Sequence, residues 1–424
     1  MLETKIEEID CEDRISALPV ELLVTILLLV PIKDAVATMI LSKRWRCIWM
    51  MLPRLDYNET NDIKDDHDCG GGDDDDGDGD GDGDGDGDGD GDDGDNDDDV
   101  DGDGDLERKK SIWWFLDKSL KLHKAPVLEK LLISLGRRCP SDANVGNWVE
   151  KAVDRGVVVV KFKLRWSAGP TTLPRSLYTC ETLKELSLSN KVLVDFPSSP
   201  SCLPSLELLQ LFCVAYKDEA SLASCLVIDT PALIKFKVDD DSRDSWSIGN
   251  MPCLEEAYIS VNSLSNFDKF ITASSSILSL DLTFTDEMLV RCSTLRFSRL
   301  IKLSVDPSRS DWVEPLLLLL ANTPKLEELL EFIYDLEDIP LSWKQPSSIP
   351  GCLSSHLKIF EWRYYGHREE EEEFLTYILA NSKCLKTATI SLKPMLDPEL
   401  EQDAIIGKLK DIPRVSTSSQ LLVN

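Results

Sequence analysis

The fold is decided by an apolar stretch near the start of the chain, whose two most informative parts are Arg14-Ile15-Ser16-Ala17-Leu18-Pro19 and Leu41-Ser42-Lys43-Arg44-Trp45-Arg46-Cys47-Ile48-Trp49. Between Ile15 and Leu52, 26 of 38 residues are apolar, against 42% of the whole chain. Two apolar faces recur at helical spacing, so a helix here is apolar nearly all round: Leu18, Leu22, Ile26 and Leu29 form one, and Leu23, Leu27 and Val30 the other. About 40 residues bury too little surface to stand alone. The stretch therefore needs a partner surface.

Prolines and short polar residues divide this stretch into three predicted helices. Pro19 suits the first turn of the first helix, and Pro31 ends it because proline lacks an amide hydrogen and clashes with the preceding turn. Asp34 is then expected to cap a second helix over residues 35–40, and Ser42 a third over residues 43–52. The sequence thus predicts a small three-helix unit.

The combined pattern resembles the plant form of the F-box, placed here at residues 13–55. It is carried by Leu18-Pro19, Leu22-Leu23, Ile26-Leu27, Val30-Pro31 and above all by Leu41-Ser42-Lys43-Arg44-Trp45. The resemblance implies docking on a Skp-type adaptor, which brings cullin and RING subunits of a ubiquitin ligase. It assigns the contact to Leu18, Pro19, Leu22, Leu23, Ile26, Leu27, Leu41, Ser42 and Trp45. The alternative is a helical subdomain buried against the rest of the same chain.

An acidic tract follows, predicted to be disordered over residues 62–107. Residues 65–105 hold 23 aspartates and no Lys, Arg or Glu, and they account for most of the formal charge of −31. Alternating Gly and Asp combine high backbone entropy with like-charge repulsion. The segment Asp84–Gly89 matches the opening of an EF-hand loop, but the match is nearly unavoidable in such a repeat and no amphipathic helices flank it. Binding of a basic protein is a further alternative.

An internal repeat governs the chain after this tract, predicted as leucine-rich repeats over residues 112–330. The template is Leu-x-x-Leu-x-Leu, clearest at Leu183/Leu186/Leu188, Leu206/Leu209/Leu211 and Leu300/Leu303/Val305. Its first positions fall at residues 128, 159, 183, 206, 233, 254, 277, 300, 326, 357 and 385. Such a period, about 20 to 29 residues, is typical of leucine-rich repeats, which stack into a solenoid with a parallel sheet along one wall.

The C-terminal part resembles the FBD domain, placed at residues 338–415. The resemblance rests on residues 338–346, Ile349–Leu353, Leu357–Trp362 and the acidic run Glu369–Glu373. That run is expected to open a helix over residues 370–379 with a solvated acidic face. The predicted fold class is therefore α+β: a three-helix F-box, a disordered acidic tract, and an α/β leucine-rich-repeat solenoid that ends in an FBD region.

Composition and motif content argue against nucleic-acid binding, a membrane span and catalysis. Outside the acidic tract the chain is mildly acidic, which argues against a nucleic-acid partner. Twelve cysteines occur singly, without zinc-ligand spacing, and predict reduced, mostly buried thiols in the cytoplasm or nucleus. No segment is long enough to cross a membrane, and neither a phosphate loop nor a nucleophile setting for the four histidines is visible. We expect no catalytic residue, cofactor or metal.

Two functional hypotheses are open, and the first is implied by the F-box resemblance. The first is a non-catalytic subunit of a Skp–cullin–F-box ubiquitin ligase, in which the repeats and the FBD region hold an unknown target protein. The alternative is a leucine-rich scaffold or inhibitor that binds without ubiquitin transfer and uses its apolar N-terminal unit as a solenoid cap. Deletion of residues 13–55 is expected to separate them, because a tethered F-box is removable and a cap is not.

Overall fold

The structure is a computed structural model, and the acidic tract predicted at 62–107 lies outside the residues it describes. The described residues are 15, 17–58, 112–136, 144–164, 171–190, 192–194, 203–216, 226–228, 230–240, 246–248, 251–261, 276–284, 295–307, 312–332, 343–393 and 399–424.

The N-terminal stretch forms three short helices, with bounds that differ from the predicted ones. They are α1 (Val20–Leu27), α2 (Ile32–Ala37) and α3 (Trp45–Ile48), and 3₁₀ turns cover Thr38–Ile40 and Trp49–Met51. Pro19 and Pro31 occupy the N-cap positions of α1 and α2 with φ of −53° and −55°. Because Pro31 starts α2 directly, Asp34 lies in its first turn and is not a cap. Ser42 is not a cap either, since Arg44 precedes α3.

A parallel sheet of thirteen strands forms the body of the chain. Its order follows the sequence: β1 (Arg54–Asn58), β2 (Lys130–Leu135), β3 (Val159–Leu164), β5 (Glu185–Asn190), β7 (Leu208–Phe212), β10 (Lys235–Asp240), β12 (Glu256–Val261), β13 (Ser279–Phe284), β14 (Lys302–Pro307), β15 (Glu328–Phe332), β16 (Ile359–Tyr365), β17 (Thr387–Leu392) and β18 (Gln420–Val423). Two smaller sheets pair β4 (Thr171–Thr172), β6 (Val192–Val194) and β8 (Ala215–Tyr216), and β9 (Leu226–Ile228) with β11 (Trp246–Ile248).

The register of the sheet explains the leucine repeat. The second and third template positions align across every strand, so that Leu186 pairs with Leu209 and Leu188 with Leu211. These side chains are fully buried. Residues between them alternate to the opposite, open face of the sheet, as the two-residue period of a strand requires. Most strands thus give two or more side chains to one continuous core, as expected for stacked repeats.

Three parts of the repeat differ from its predicted assignment. The copy placed at Val159 is shifted by two residues, because Val160 aligns with Leu131 and Leu186; the first position is Val157, which is fully buried. The sheet also extends beyond the predicted copies at both ends, through β1 and β18. The first strand therefore belongs to the segment assigned from sequence to the F-box.

The N-terminal unit is joined to the repeats through β1 and the turn before it. β1 pairs in parallel with β2, from Arg54 opposite Lys130 to Asn58 opposite Ser134. The Met50 carbonyl accepts hydrogen bonds from the backbone N–H groups of Lys124 (2.8 Å) and Ala125 (2.9 Å). Residues 59–111, which include the acidic tract, thus interrupt the first repeat after its strand and do not separate the F-box from the solenoid.

A buried histidine strengthens the same junction. His123 is 3% exposed; its Nε2 lies 2.8 Å from the Leu52 carbonyl, and its Nδ1 lies 2.7 Å from Arg155 Nη1. Burial, more than the charge of Arg155, lowers the pKa of His123 to about 4. The neutral ring therefore accepts from Arg155 at Nδ1 and donates to Leu52 from Nε2. His123 therefore links the end of the helical unit to the segment that runs from β2 to β3.

Helices cover the other side of the sheet. Among the described residues they are α4 (Ile112–Leu122), α5 (Val145–Val153), α6 (Arg175–Tyr178), α7 (Val313–Ala321), α8 (Gly351–Ser355), α9 (Glu369–Asn381) and α10 (Glu399–Asp411). None of the helices in this described part is long and apolar enough to cross a membrane.

The FBD region is held by aromatic packing and a buried carboxylate. Trp362 contacts Trp312, Tyr365 and Phe374 edge to face, with ring centroids 5.6 to 6.0 Å apart. Helix α9 begins within the predicted acidic run, but Glu371 is only 3% exposed. Its carboxylate accepts from the backbone N–H groups of Gly366 (3.0 Å) and Arg368 (3.1 Å). That residue is a cap at the start of the helix, not part of a solvated face.

The cysteines only partly follow the expectation of reduced, buried thiols. Cys180 and Cys352 are free and buried, whereas Cys47, Cys253 and Cys384 are free and exposed. Cys213 is disulfide-bonded.

Candidate functional site

The N-terminal unit presents apolar side chains to solvent in a number unusual for a folded domain. Leu29 is 82% exposed, Ile40 88% and Leu41 63%. Further exposed apolar side chains of this unit are Ile15, Leu22, Ile26, Leu28, Val30 and Met51. Exposed apolar residues that cluster in one small unit mark an interaction site more often than scattered single ones do. We call these nine residues the apolar surface.

Helix α1 divides its apolar residues between this surface and the core. Leu23 and Leu27, four residues apart, lie on one face and are buried against the rest of the unit. Leu22 and Ile26 lie on the neighbouring face and are 49% and 39% exposed. Residues four apart share a helix face, so the second face keeps its apolar character without a partner among the residues that the structure describes.

The structure places the nine residues predicted to contact the adaptor in two groups. Pro19, Leu22, Ile26 and Leu41 are exposed, and Leu18 and Ser42 are partly buried. Leu23, Leu27 and Trp45 have exposed fractions of 0, 2 and 3%. These last three differ from the prediction of direct contact, because core side chains offer no surface; in this structure they hold the helices that carry the exposed residues.

The Lys43-Arg44-Trp45 segment connects the third helix to the start of the unit. Arg44 Nη2 donates a hydrogen bond to the Leu18 carbonyl, which ties the third helix to the Leu18-Pro19 pair. Trp45 packs into the core next to it. The Ser42 hydroxyl is buried and makes no hydrogen bond. Such a group gains a partner when a binding protein supplies one.

A groove adjoins the apolar surface at the junction with the sheet. Its volume is about 410 Å³, and its walls are the α1–α2 turn, strand β1 and Ile112. Lys33, Arg54 and Asp56 add charge and Asn58 adds an amide to the apolar side chains of the lining. The mixture suits a protein side chain rather than a polar small molecule.

Ser355 and His356 bring a hydroxyl and an imidazole together at the end of α8. The Ser355 hydroxyl lies 2.6 Å from His356 Nδ1, but it also lies 2.6 Å from the Gly351 carbonyl, to which it donates. This exposed pair of adjacent residues is a local turn contact, since a nucleophile needs a base oriented by a third group. No group of His, Cys, Asp and Glu in the described part of the chain could hold a metal ion.

Two family models match parts of this chain and define the class of protein. The F-box domain model matches residues 15–57, which cover the three helices and β1. The FBD model matches residues 345–390, from the loop before α8 to β17. The F-box match reaches into the sheet, in agreement with the structure. The chain is thus an F-box protein with a C-terminal FBD region.

Full-length relatives give the family. A putative FBD-associated F-box protein of Arabidopsis thaliana is 47% identical over 100% of both chains. A putative F-box/FBD/LRR-repeat protein of the same plant is 39% identical over 97% of this chain and 91% of its own length. Another F-box/FBD/LRR-repeat protein from it is 32% identical over 97% of this chain and 99% of its own. The chain belongs to the plant F-box/FBD/LRR-repeat proteins, and no catalytic family is indicated.

Proposed function

We propose that this protein is the target-recruiting subunit of a Skp–cullin–F-box ubiquitin ligase. The apolar surface docks on a Skp-type adaptor, which brings the cullin and RING subunits, and the repeats with the FBD region hold a target protein. The observation that carries the proposal is the outward face of α1 together with Leu29, Ile40 and Leu41, which stay exposed although the unit is otherwise packed. The protein acts in the cytoplasm, the nucleus or both.

The mechanism needs no reacting group in this chain. A bound target gains a high effective concentration near a ubiquitin-loaded enzyme carried by the other subunits. Because the N-terminal unit shares a sheet with the repeats, adaptor and target are held by one continuous core. This arrangement favours transfer to target lysines at a restricted distance.

The alternative of a scaffold with an N-terminal cap is supported by the shared strand β1. The unit does cover the first repeat, through β1 and the Met50 carbonyl. Deletion of residues 13–55 therefore cannot separate the hypotheses, because it removes part of the sheet in either case. A cap, however, has no need for solvent-exposed Leu22 and Ile26.

Point substitutions on the apolar surface test the proposal. Full burial of a Leu or Ile side chain contributes roughly 2 kcal/mol, and Leu22 and Ile26 are already about half buried in the free chain. The double variant Leu22→Ala/Ile26→Ala should therefore lose about 2 kcal/mol of adaptor affinity, or roughly 30-fold. The measurement is the dissociation constant for a purified Skp-type adaptor.

The matched control is Leu318→Ala/Ile349→Ala, which removes two side chains of similar size and exposure, 49% and 52%, near α7. Its adaptor affinity should stay within about twofold of the wild type. An unchanged affinity in Leu22→Ala/Ile26→Ala, with a cooperative unfolding transition retained, would refute docking through this face and favour the scaffold.

A further inference from the structure

The open face of the sheet carries a group of acidic side chains near its middle. Tyr258 on β12, Asp281 on β13 and Asp306 on β14 alternate with the core residues Ile259, Leu282 and Val305, so they point to the open face. Tyr258 is directly opposite Asp281 in the register. Asp306 is opposite Thr283, one strand over and two residues along from Asp281. We call these three residues and Ser304 the acidic pocket face.

Asp306 on this face is poorly compensated, unlike other carboxylates on the same sheet, whereas Lys302 and Lys237 act on Asp281. Towards the strand starts, Lys235 lies 2.9 Å from Glu256, and Lys302 lies 3.9 Å from Glu328. Asp306 makes no ion pair within the described residues. Its pKa is raised to about 7 by burial first and by the nearby Asp281 second. Burial also raises the pKa of Asp281, against the opposing effects of Ser304 and two lysines.

The hydroxyl of Ser304 gives an independent indication that this face takes a ligand. Ser304 is opposite Asp281 on the open face, yet it is only 3% exposed. Its hydroxyl is near enough to Asp281 to lower the pKa of that carboxyl, but it completes no hydrogen bond of ordinary geometry. A buried hydroxyl without a proper partner costs free energy.

The aromatic ring beside Asp281 indicates which class of ligand would fit this face. Tyr258 is half-buried, and the pKa of its hydroxyl is raised to about 12, by burial first and then by Asp239, Asp281 and Asp306. An aromatic face beside carboxylates suits a guanidinium, which is planar, stacks on rings and donates several hydrogen bonds. The carboxylates of the described residues do not converge enough to hold a metal ion.

From the placement of Tyr258, Asp281, Ser304 and Asp306 on adjacent strands, we propose that the open face binds an arginine side chain of a basic, extended segment of the target protein. The inference rests on the proposed function, because it names the chemistry of the target that the repeats hold. Buried carboxylates that destabilise the free protein are retained most readily where binding uses them.

The test uses the full chain and a peptide of Arg-Gly-Ser repeats that carries a photo-crosslinking group. Crosslinks are mapped by mass spectrometry, and the measured quantity is their yield within residues 251–307. Mapping separates this face from attachment to the Asp-rich tract. A peptide of Glu-Gly-Ser repeats should give no crosslinks in this range. Strong labelling there by the acidic peptide, or none by the basic peptide, would overturn the inference.

Two double variants of equal net charge decide whether these carboxylates matter. Asp281→Asn/Asp306→Asn should raise the concentration of basic peptide that gives half-maximal crosslinking about tenfold or more, since it removes both carboxylates that would accept from the guanidinium. The control Glu185→Gln/Glu207→Gln removes two carboxylates that are paired with Lys161 (3.8 Å) and Lys184 (2.7 Å) on earlier strands. Its affinity should change less than about twofold. Equal losses in both variants would reduce the effect to general charge attraction and contradict the proposal.

Melting temperature and adaptor binding complete the experiment. The Asp-to-Asn variant should melt at a higher temperature than the wild type, because its buried carboxylates are unfavourable in the free chain; a merely structural role predicts a lower one. Adaptor affinity is measured on the same proteins. If the wild type binds the basic peptide but no adaptor, the ligase proposal fails and the arginine-binding face is retained. If the wild type binds the adaptor and the Asp-to-Asn variant keeps full peptide binding, only the arginine-binding inference fails.

Discussion

The histidine that joins the helical unit to the repeats should make the stability of the protein depend on pH. His123 is neutral in the folded chain because burial lowers its pKa from 6.5 to about 4. Between these two pH values the unfolded chain binds a proton that the folded chain does not, so stability falls as the pH is lowered. Each pKa unit corresponds to about 1.4 kcal/mol, which gives a loss of about 3 kcal/mol between pH 6.5 and pH 4.

The assay is urea denaturation of the wild type and of His123→Gln at a series of pH values. At pH 7 the variant should be less stable by about 1 to 2 kcal/mol, since glutamine can replace the donor to the Leu52 carbonyl but not the acceptor for Arg155. Glutamine does not titrate, so the difference between the two proteins should shrink by up to about 3 kcal/mol as the pH falls to 4. Parallel pH profiles for the two proteins would refute the assignment of a neutral, buried ring.

Two further predictions test the register of the sheet and the cap of α9. Leu209→Ala should cost about 2 to 5 kcal/mol because its side chain is fully buried, whereas Leu208→Ala, on the open face of the same strand, should cost less than about 1 kcal/mol; similar losses by urea denaturation would contradict the register. Glu371→Ala should cost about 2 to 4 kcal/mol because it leaves the backbone N–H groups of Gly366 and Arg368 unpaired. Glu371→Gln should cost clearly less, since an amide oxygen can accept the same bonds without a buried charge, and the reverse order of stabilities in thermal melts would show that the charge itself is needed.

The solenoid could be predicted from sequence because its core repeats at nearly regular distances. The error at Val159 has a physical cause: Val157–Val160 are four consecutive valines, and a shift of two residues keeps the same side chains on the same face. Only the neighbouring strands fix the choice, through the alignment of Val160 with Leu131. The first strand was missed because residues 59–111 separate it from its partner in sequence. Two strands that pair across so many intervening residues leave no local pattern in the sequence.

The candidate site was predictable as a region but not residue by residue. The sequence indicates that α1 is apolar on two faces, yet Leu22 and Leu23 have the same helix propensity and each belongs to an apolar face with helical spacing. Which face turns inward depends on packing against the other helices and the sheet, and the structure buries Leu23 and Leu27. The exposure of Ile40 has a similar origin: the residue lies on a 3₁₀ turn where a continuous helix was expected. The acidic pocket face gave no signal, since its residues are far apart in sequence and meet only across strands.

The shared sheet bears on the proposed function, because it would set how far a bound target lies from the adaptor. Seven inter-strand steps separate β1 from β13, and at about 4.8 Å each they place the acidic pocket face roughly 34 Å along the sheet from the strand that follows the F-box helices. A parallel sheet with a continuous core holds that distance more firmly than a flexible linker does, because a linker samples a wide range of lengths. The insertion at residues 59–111 leaves the sheet between these points intact, since it follows β1 in sequence while β1 pairs directly with β2. In the proposed complex, the distance between the adaptor and the bound target would therefore be set by the number of repeats, not by the length of the acidic tract.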